Sequence, residues 1–264
     1  MKHSRQAGFT IIEVMLYLAI VGMLFLISFW GTKGQLDDFQ FSDSMRNLTS
    51  FLQQQYSDVQ NGVNPRPTNV TCTADQGNPN APPTFGTYIP GPNDTAGEAN
   101  ECVLMGKLVQ FSPGTNTVTV YYIVGRYLDP SLFTGNDVTD IQNSVPTLSP
   151  VIAQTYNIEG ATTFYQPNQP TTSLTESFAF IRSPSSGNLL TFVFNNQQVN
   201  NTTGPGADST FRAALTTADL ASNPGYCFND DTIVSRYSII QLDQGAINVS
   251  FPSTINVNTQ CVNA

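Results

Sequence analysis

Residues 8–30 read GFTIIEVMLYLAIVGMLFLISFW. Of the 22 residues from Phe9 to Trp30, only Glu13 is charged. A helix of that length rises ~33 Å, against a bilayer hydrocarbon core of about 30 Å. The stretch therefore predicts a membrane-spanning helix. Met1–Gly8 before it carries Lys2 and Arg5, while Lys33 beyond it is followed by Asp37 and Asp38. By the positive-inside rule the N-terminus lies in the cytoplasm and the remainder of the chain outside.

A removable secretory signal fits poorly. Such signals have an apolar region of about 7–15 residues ending in a small-residue site, whereas here the run is longer and ends in Phe29-Trp30-Gly31-Thr32. No twin-arginine pair is present, and the first cysteine is Cys72. A plain single-pass anchor accounts for the length but not for Glu13. A carboxylate within a helix that must enter hydrocarbon costs about 2.5–3.5 kcal/mol on insertion scales, so it is read as functional by default.

The residues around it, Gly8-Phe9-Thr10-Ile11-Ile12-Glu13-Val14, resemble the processing site of type IV pilins and type II secretion pseudopilins. That resemblance implies cutting after Gly8 by a membrane prepilin peptidase, which also methylates the new terminal Phe9. It implies that Glu13 is the assembly carboxylate, and that other pilin subunits, an assembly platform and a cytoplasmic motor are partners. The chemistry is consistent. Cleavage leaves a cationic amine at the head of an apolar helix, and burying it in a bundle is costly unless a carboxylate pairs with it. Glu13 of a neighbouring subunit can be that partner at the correct stagger, and the pair would then act as a register device. Gly22 is compatible with the family. The helix-loosening proline common in many pilins is missing between Phe9 and Asn64, which leans toward a pseudopilin or accessory pilin.

Beyond Gly31 and Gly34, which either bend the junction or merely space it, the pattern becomes amphipathic. Phe41, Met45, Leu48, Leu52, Gln55 or Tyr56, and Val59 recur at steps of three and four, with Asp43, Arg46, Gln53, Gln54 and Asp58 on other faces. This predicts a second helical half that lays its apolar stripe on a sheet and stops at Gly62 and Pro65. The expected organisation is a leader at 1–8, a transmembrane and assembly helix at 9–30, an amphipathic helix at 31–60 and a β-rich globular head at 61–264.

Within the head, residues 64–100 are rich in Pro, Asn, Gly and Thr and read as irregular loop. Three hairpins follow: Lys107–Phe111 with Thr117–Val124, Phe178–Arg182 with Leu189–Phe194, and Arg236–Leu242 with Ala246–Phe251. A short helix is expected at Thr216–Ala221. A long N-terminal helix packed on an antiparallel sheet gives the α+β class, pilin-like in outline.

Four cysteines in a head outside the cytoplasm read as two disulfides, since no C-x-x-C pair or zinc-like spacing occurs. Of three connectivities, Cys72–Cys102 and Cys227–Cys261 are expected, closing loops of 30 and 34 positions. The second loop resembles the disulfide-bounded C-terminal region of many pilins.

Catalysis finds little support. His3 is the one histidine and lies in the leader, which disposes of His-dependent nucleophile and metal chemistry in the processed chain. No phosphate-binding glycine loop occurs. Asn229-Asp230-Asp231-Thr232 and Asn136-Asp137-Val138-Thr139-Asp140 could offer oxygens to calcium, but neither has EF-hand spacing. No metal or other cofactor is therefore expected, and no enzymatic activity. Loss of the leader leaves eight cations against 19 acids, a side-chain charge of −11, so no nucleic-acid partner is expected. The composition and motif together suggest a structural filament subunit. The alternatives are a filament-tip module for adhesion or DNA uptake, and an anchored extracellular domain that does not assemble.

Overall fold

In a computed structural model of the 264-residue chain, the described residues are 10–62, 70–73, 81, 83–87, 102–111, 115–159, 162–165, 176–194, 211–212, 215, 219–220, 225–230, 236–243 and 246–250. Helix α1 runs from Ile11 to Gln60 without a break, so Gly31 and Gly34 continue it. It stops where Gly62 adopts a φ of +65°, and the Gly62 amide returns to the Val59 carbonyl at 3.2 Å. A glycine in the left-handed region is the usual terminator because it has no Cβ to clash. Pro65, the second expected stop, lies outside the described residues. The chain divides into two compact units, Met1–Asp43 and Ser44–Ala264, with the boundary inside α1.

In the second unit, Met45, Leu48 and Leu52 are completely buried and Val59 nearly so, together with Gln55. Asp43, Arg46, Gln53 and Gln54 are exposed. The helical periodicity thus marks the face that meets the sheet.

Twelve strands are described in this unit, forming three antiparallel sheets. A six-stranded sheet has the order β5 (Thr147–Asn157), β4 (Thr117–Arg126), β3 (Cys102–Phe111), β7 (Glu176–Arg182), β8 (Leu189–Phe194) and β9 (Asp219–Leu220). A four-stranded sheet runs β12 (Ala246–Ser250), β11 (Arg236–Asp243), β10 (Gly225–Asp230) and β6 (Thr162–Tyr165). The third is the pair β1 (Val70–Thr73) and β2 (Thr84–Thr87). The class is α+β, with an apolar N-terminal helix followed by a second helical stretch and antiparallel sheet.

Alternation along β7 shows how the large sheet is used. Phe178 and Phe180 point to one side, where Phe178 meets Phe111 at 5.9 Å and Tyr226 at 5.3 Å, and Tyr56 of α1 touches the Phe180 ring edge-on at 5.3 Å. The Phe111–Phe228 contact at 5.6 Å completes an aromatic cluster that joins the two larger sheets. Ala179 and Ile181 face the other way, into a core with Leu108, Ile123, Phe192 and Phe211. Ile141 joins them from α2 (Asp137–Asn143). β7 is buried on both faces, and Phe178–Ile181 at its centre accordingly reads as an unbroken apolar run.

Gly106 sits at a register shift in β3, between Leu104 and Gly106. A Cβ there would run into the Phe180 carbonyl of the neighbouring strand. Backbone on both sides cannot yield as a flexible side chain would. Gly106→Ala is therefore expected to reach or exceed the upper end of the about 1–3 kcal/mol typical of overpacking, measured as a lowered urea midpoint with an unchanged slope.

The three hairpins expected from the sequence are β3–β4, β7–β8 and β11–β12. Two expectations are corrected. The helix assigned to Thr216–Ala221 is not formed at Asp219–Leu220, which extend as β9 and pair with Val193 and Phe192. Helical residues occur just upstream at Phe211, Arg212 and Leu215, where Phe211 and Leu215 are drawn into the core. The 64–100 segment is not wholly irregular. Val70–Thr73 and Thr84–Thr87 form a hairpin whose threonines and Val70 suit extended backbone.

Candidate functional site

The N-terminal helix begins at Thr10. Its hydroxyl accepts from the Glu13 amide at 3.3 Å, and its carbonyl accepts from the Val14 amide at 3.2 Å. Thr10 is thus the N-cap of α1 and Glu13 the third helical residue, the T-x-x-E spacing of a capping box. The prepilin-type motif singles out Glu13 but not Thr10, although the T-x-x-E spacing is present in the sequence. A carboxylate in the first turn also complements the positive end of the helix dipole. Glu13 therefore has a local electrostatic role and remains exposed, where another chain can reach it.

From Ile11 to Ser28 the helix is 18 residues long with a mean hydropathy of 2.4, and none of the span is buried. Ile11 is 79% and Phe25 69% exposed, so apolar surface faces outward all around the helix. In water such a surface would be strongly unfavourable, at about 25 cal/mol per Å². Its length and composition fit a single-pass membrane anchor. Gly8 and Phe9, the expected cleavage and methylation positions, lie outside the described residues.

The remaining assigned residues are in the head. Cys72 and Cys102 form a disulfide, with Cα atoms 5.9 Å apart. It ties β1 to the first residue of β3, joining the small hairpin to the large sheet. Cys227 lies in β10 opposite Ile239 and Tyr165. Its side chain and Cys261 lie outside the described residues, and with them the Cys227–Cys261 pairing. Non-reducing peptide mapping of the full chain is expected to recover linked peptides for both pairs. A Cys72–Cys227 peptide would overturn this connectivity.

The two acidic stretches have structural settings. Asn136 caps α2 by accepting from the Thr139 amide at 3.1 Å. Asp137 Oδ1 accepts from the hydroxyls of Ser186 at 2.6 Å and Ser183 at 2.7 Å, while Oδ2 accepts from Asn188 at 3.0 Å. These donors, Ser186 foremost, hold the Asp137 carboxyl below the ordinary carboxylate range. Asp140 Oδ1 accepts from the amide and hydroxyl of Thr134, both at 2.8 Å. Asn229 and Asp230 are strand residues of β10, and Asp231 and Thr232 lie outside the described residues. No group of three or more potential metal ligands occurs among the described residues.

Residues 3–29 match the sequence family described as the prokaryotic N-terminal methylation motif. The chain thus carries a prepilin-type N-terminal motif, the kind found in type IV pilins and pseudopilins, and that motif implies processing by a prepilin peptidase. No curated protein and no solved structure matches the chain significantly.

Proposed function

We propose that the chain is a structural subunit, a minor pilin or pseudopilin, of a type IV pilus or related filament. Residues 9–30 hold it in the cytoplasmic membrane with the head outside until assembly transfers it to the filament. The observation that carries this reading is the methylation motif placed over an exposed apolar helix with one charged residue, Glu13. An ordinary anchor has no use for that carboxylate. Peptidase, neighbouring subunits, platform and motor supply the processing, the contacts and the energy, and the chain itself performs no catalysis. Quantitative mass spectrometry of sheared surface appendages tests this. Recovery of the protein in filaments, at trace stoichiometry for a minor subunit, is expected. Exclusive retention in membranes of cells with an active assembly machine would favour the non-assembling anchor.

A further inference from the structure

β4 ends at Arg126 and β7 at Arg182, and both pair antiparallel with β3 between them. They therefore run in the same direction and deliver their last residues to the same end of the sheet, on either side of β3, with Arg126 opposite Cys102 and Arg182 one residue beyond the Ile181–Gly106 pair. There a pocket of about 250 Å³ is lined by both arginines and by apolar side chains that include Leu104, Leu128 and Phe133. Two of the eight cations that follow the leader thus line one pocket in a strongly acidic chain.

The floor has a defined shape. Gly125 leaves room for Met105, whose sulfur occupies the place a Cβ would take. Gly187, at a φ of +77°, lets the Arg182 guanidinium lie across the turn, where the arginine Nε donates to the Gly187 carbonyl at 3.3 Å. Arg182 has no carboxylate partner among the described residues, so four of its five N–H donors remain for a ligand. The nearby Asp137 carboxylate is already occupied by serine and asparagine donors from the 183–188 turn.

We propose that this pocket binds a carboxylate carried on a small apolar body, with the guanidinium of Arg182 on the carboxylate and Arg126 beside it. Arginine presents paired donors that match a carboxylate's two oxygens. The volume is below the usual range for drug-sized ligands, so the body is a few carbons in size. A sugar acid fits less well, because the two buried serines of the wall are committed. Ser183 donates to Asp137 and Ser144 to the Asp140 carbonyl, which leaves few partners for sugar hydroxyls. The carboxylate could belong to a free branched-chain acid or to the C-terminal residue of a polypeptide.

Calorimetry on the full chain in nanodiscs provides the test, with N-acetylvaline, its uncharged amide, isovalerate, galacturonate and the peptide Gly-Ser-Gly-Val as probes. N-acetylvaline is expected to bind with 1:1 stoichiometry and the amide at least tenfold more weakly, as loss of a charge-assisted hydrogen bond requires. Arg182→Gln should cost a similar factor while Arg46→Gln, on the exposed face of α1, costs nothing. Arg126→Gln gives a second reading should Arg182→Gln fail to fold. Peptide binding as tight as that of N-acetylvaline identifies a chain end as the ligand. Binding of isovalerate but not of the peptide identifies a free acid. Equal affinity for acid and amide, affinity unaltered by both arginine substitutions, or preference for galacturonate would overturn the proposal.

Discussion

Glu13→Leu is expected to leave the precursor fully processed and to reduce its incorporation into filaments by at least tenfold. The peptidase acts before assembly, and the substitution leaves Gly8 and Phe9 unchanged. Incorporation is different. On the proposed reading cleavage exposes a cationic amine at Phe9, and packing it among apolar helices without a carboxylate would strand a buried charge, a loss of about 3–5 kcal/mol. In a plain anchor the sign reverses. Removing a carboxylate from an apolar helix is favourable by a few kcal/mol, so membrane levels would rise or stay constant. Thr10 caps the helix through its own hydroxyl, so it persists in the variant and the helix start is retained. The measurement is the ratio of mature protein in sheared filaments to that in membranes. A ratio equal to wild type would contradict amine pairing.

The second large effect is expected at Lys107. This side chain is 3% exposed, and its ammonium lies 2.7 Å from Asp58 Oδ2 and 2.7 Å from Gln55 Oε1. Gln55 in turn donates to Gln154 at 3.1 Å, and the Tyr122 ring lies 5.9 Å from the ammonium. The network fastens the end of α1 to β3, β4 and β5. Lys107→Met removes the cation of the network and leaves a half-buried Asp58 and a buried Gln55 oxygen without this donor. Breaking a buried pair in this way costs about 3–5 kcal/mol. Asp58 is 24% exposed, so water recovers part of that, and a loss of about 3 kcal/mol is expected from urea unfolding. Replacing both partners, as Lys107→Met with Asp58→Leu, should restore most of it, since an apolar pair of similar volume is often neutral or better. A double variant no more stable than Lys107→Met alone would show that the charge was not the source of the loss.

Lys107 also illustrates what the sequence withholds. In Met105-Gly106-Lys107-Leu108 a lysine reads as a solvent-facing strand position, and its burial depends on Asp58, 49 residues earlier in the chain. The same limit hid β6 and β10, which pair with each other across more than 60 residues. β1 and β2 were obscured by the proline and asparagine around them. By contrast, the apolar stripe Met45, Leu48, Leu52 and Val59 was readable because helical periodicity is local. The three hairpins were readable because turn residues separate strands that are adjacent in sequence. Asn136–Asp140 read as a candidate oxygen site. Its partners in the 183–188 turn are far away in sequence, and the local pattern could not distinguish a helix cap from a ligand loop. Glu13 stood out for the opposite reason, as a charge where composition demands none.

The mass of the mature N-terminal peptide, from protein isolated in cells with an active peptidase, tests the central claim most directly. A terminus at N-methylated Phe9 is the predicted result, with Met1–Gly8 absent. A chain that still begins at Met1, or one cut beyond Trp30, would contradict it.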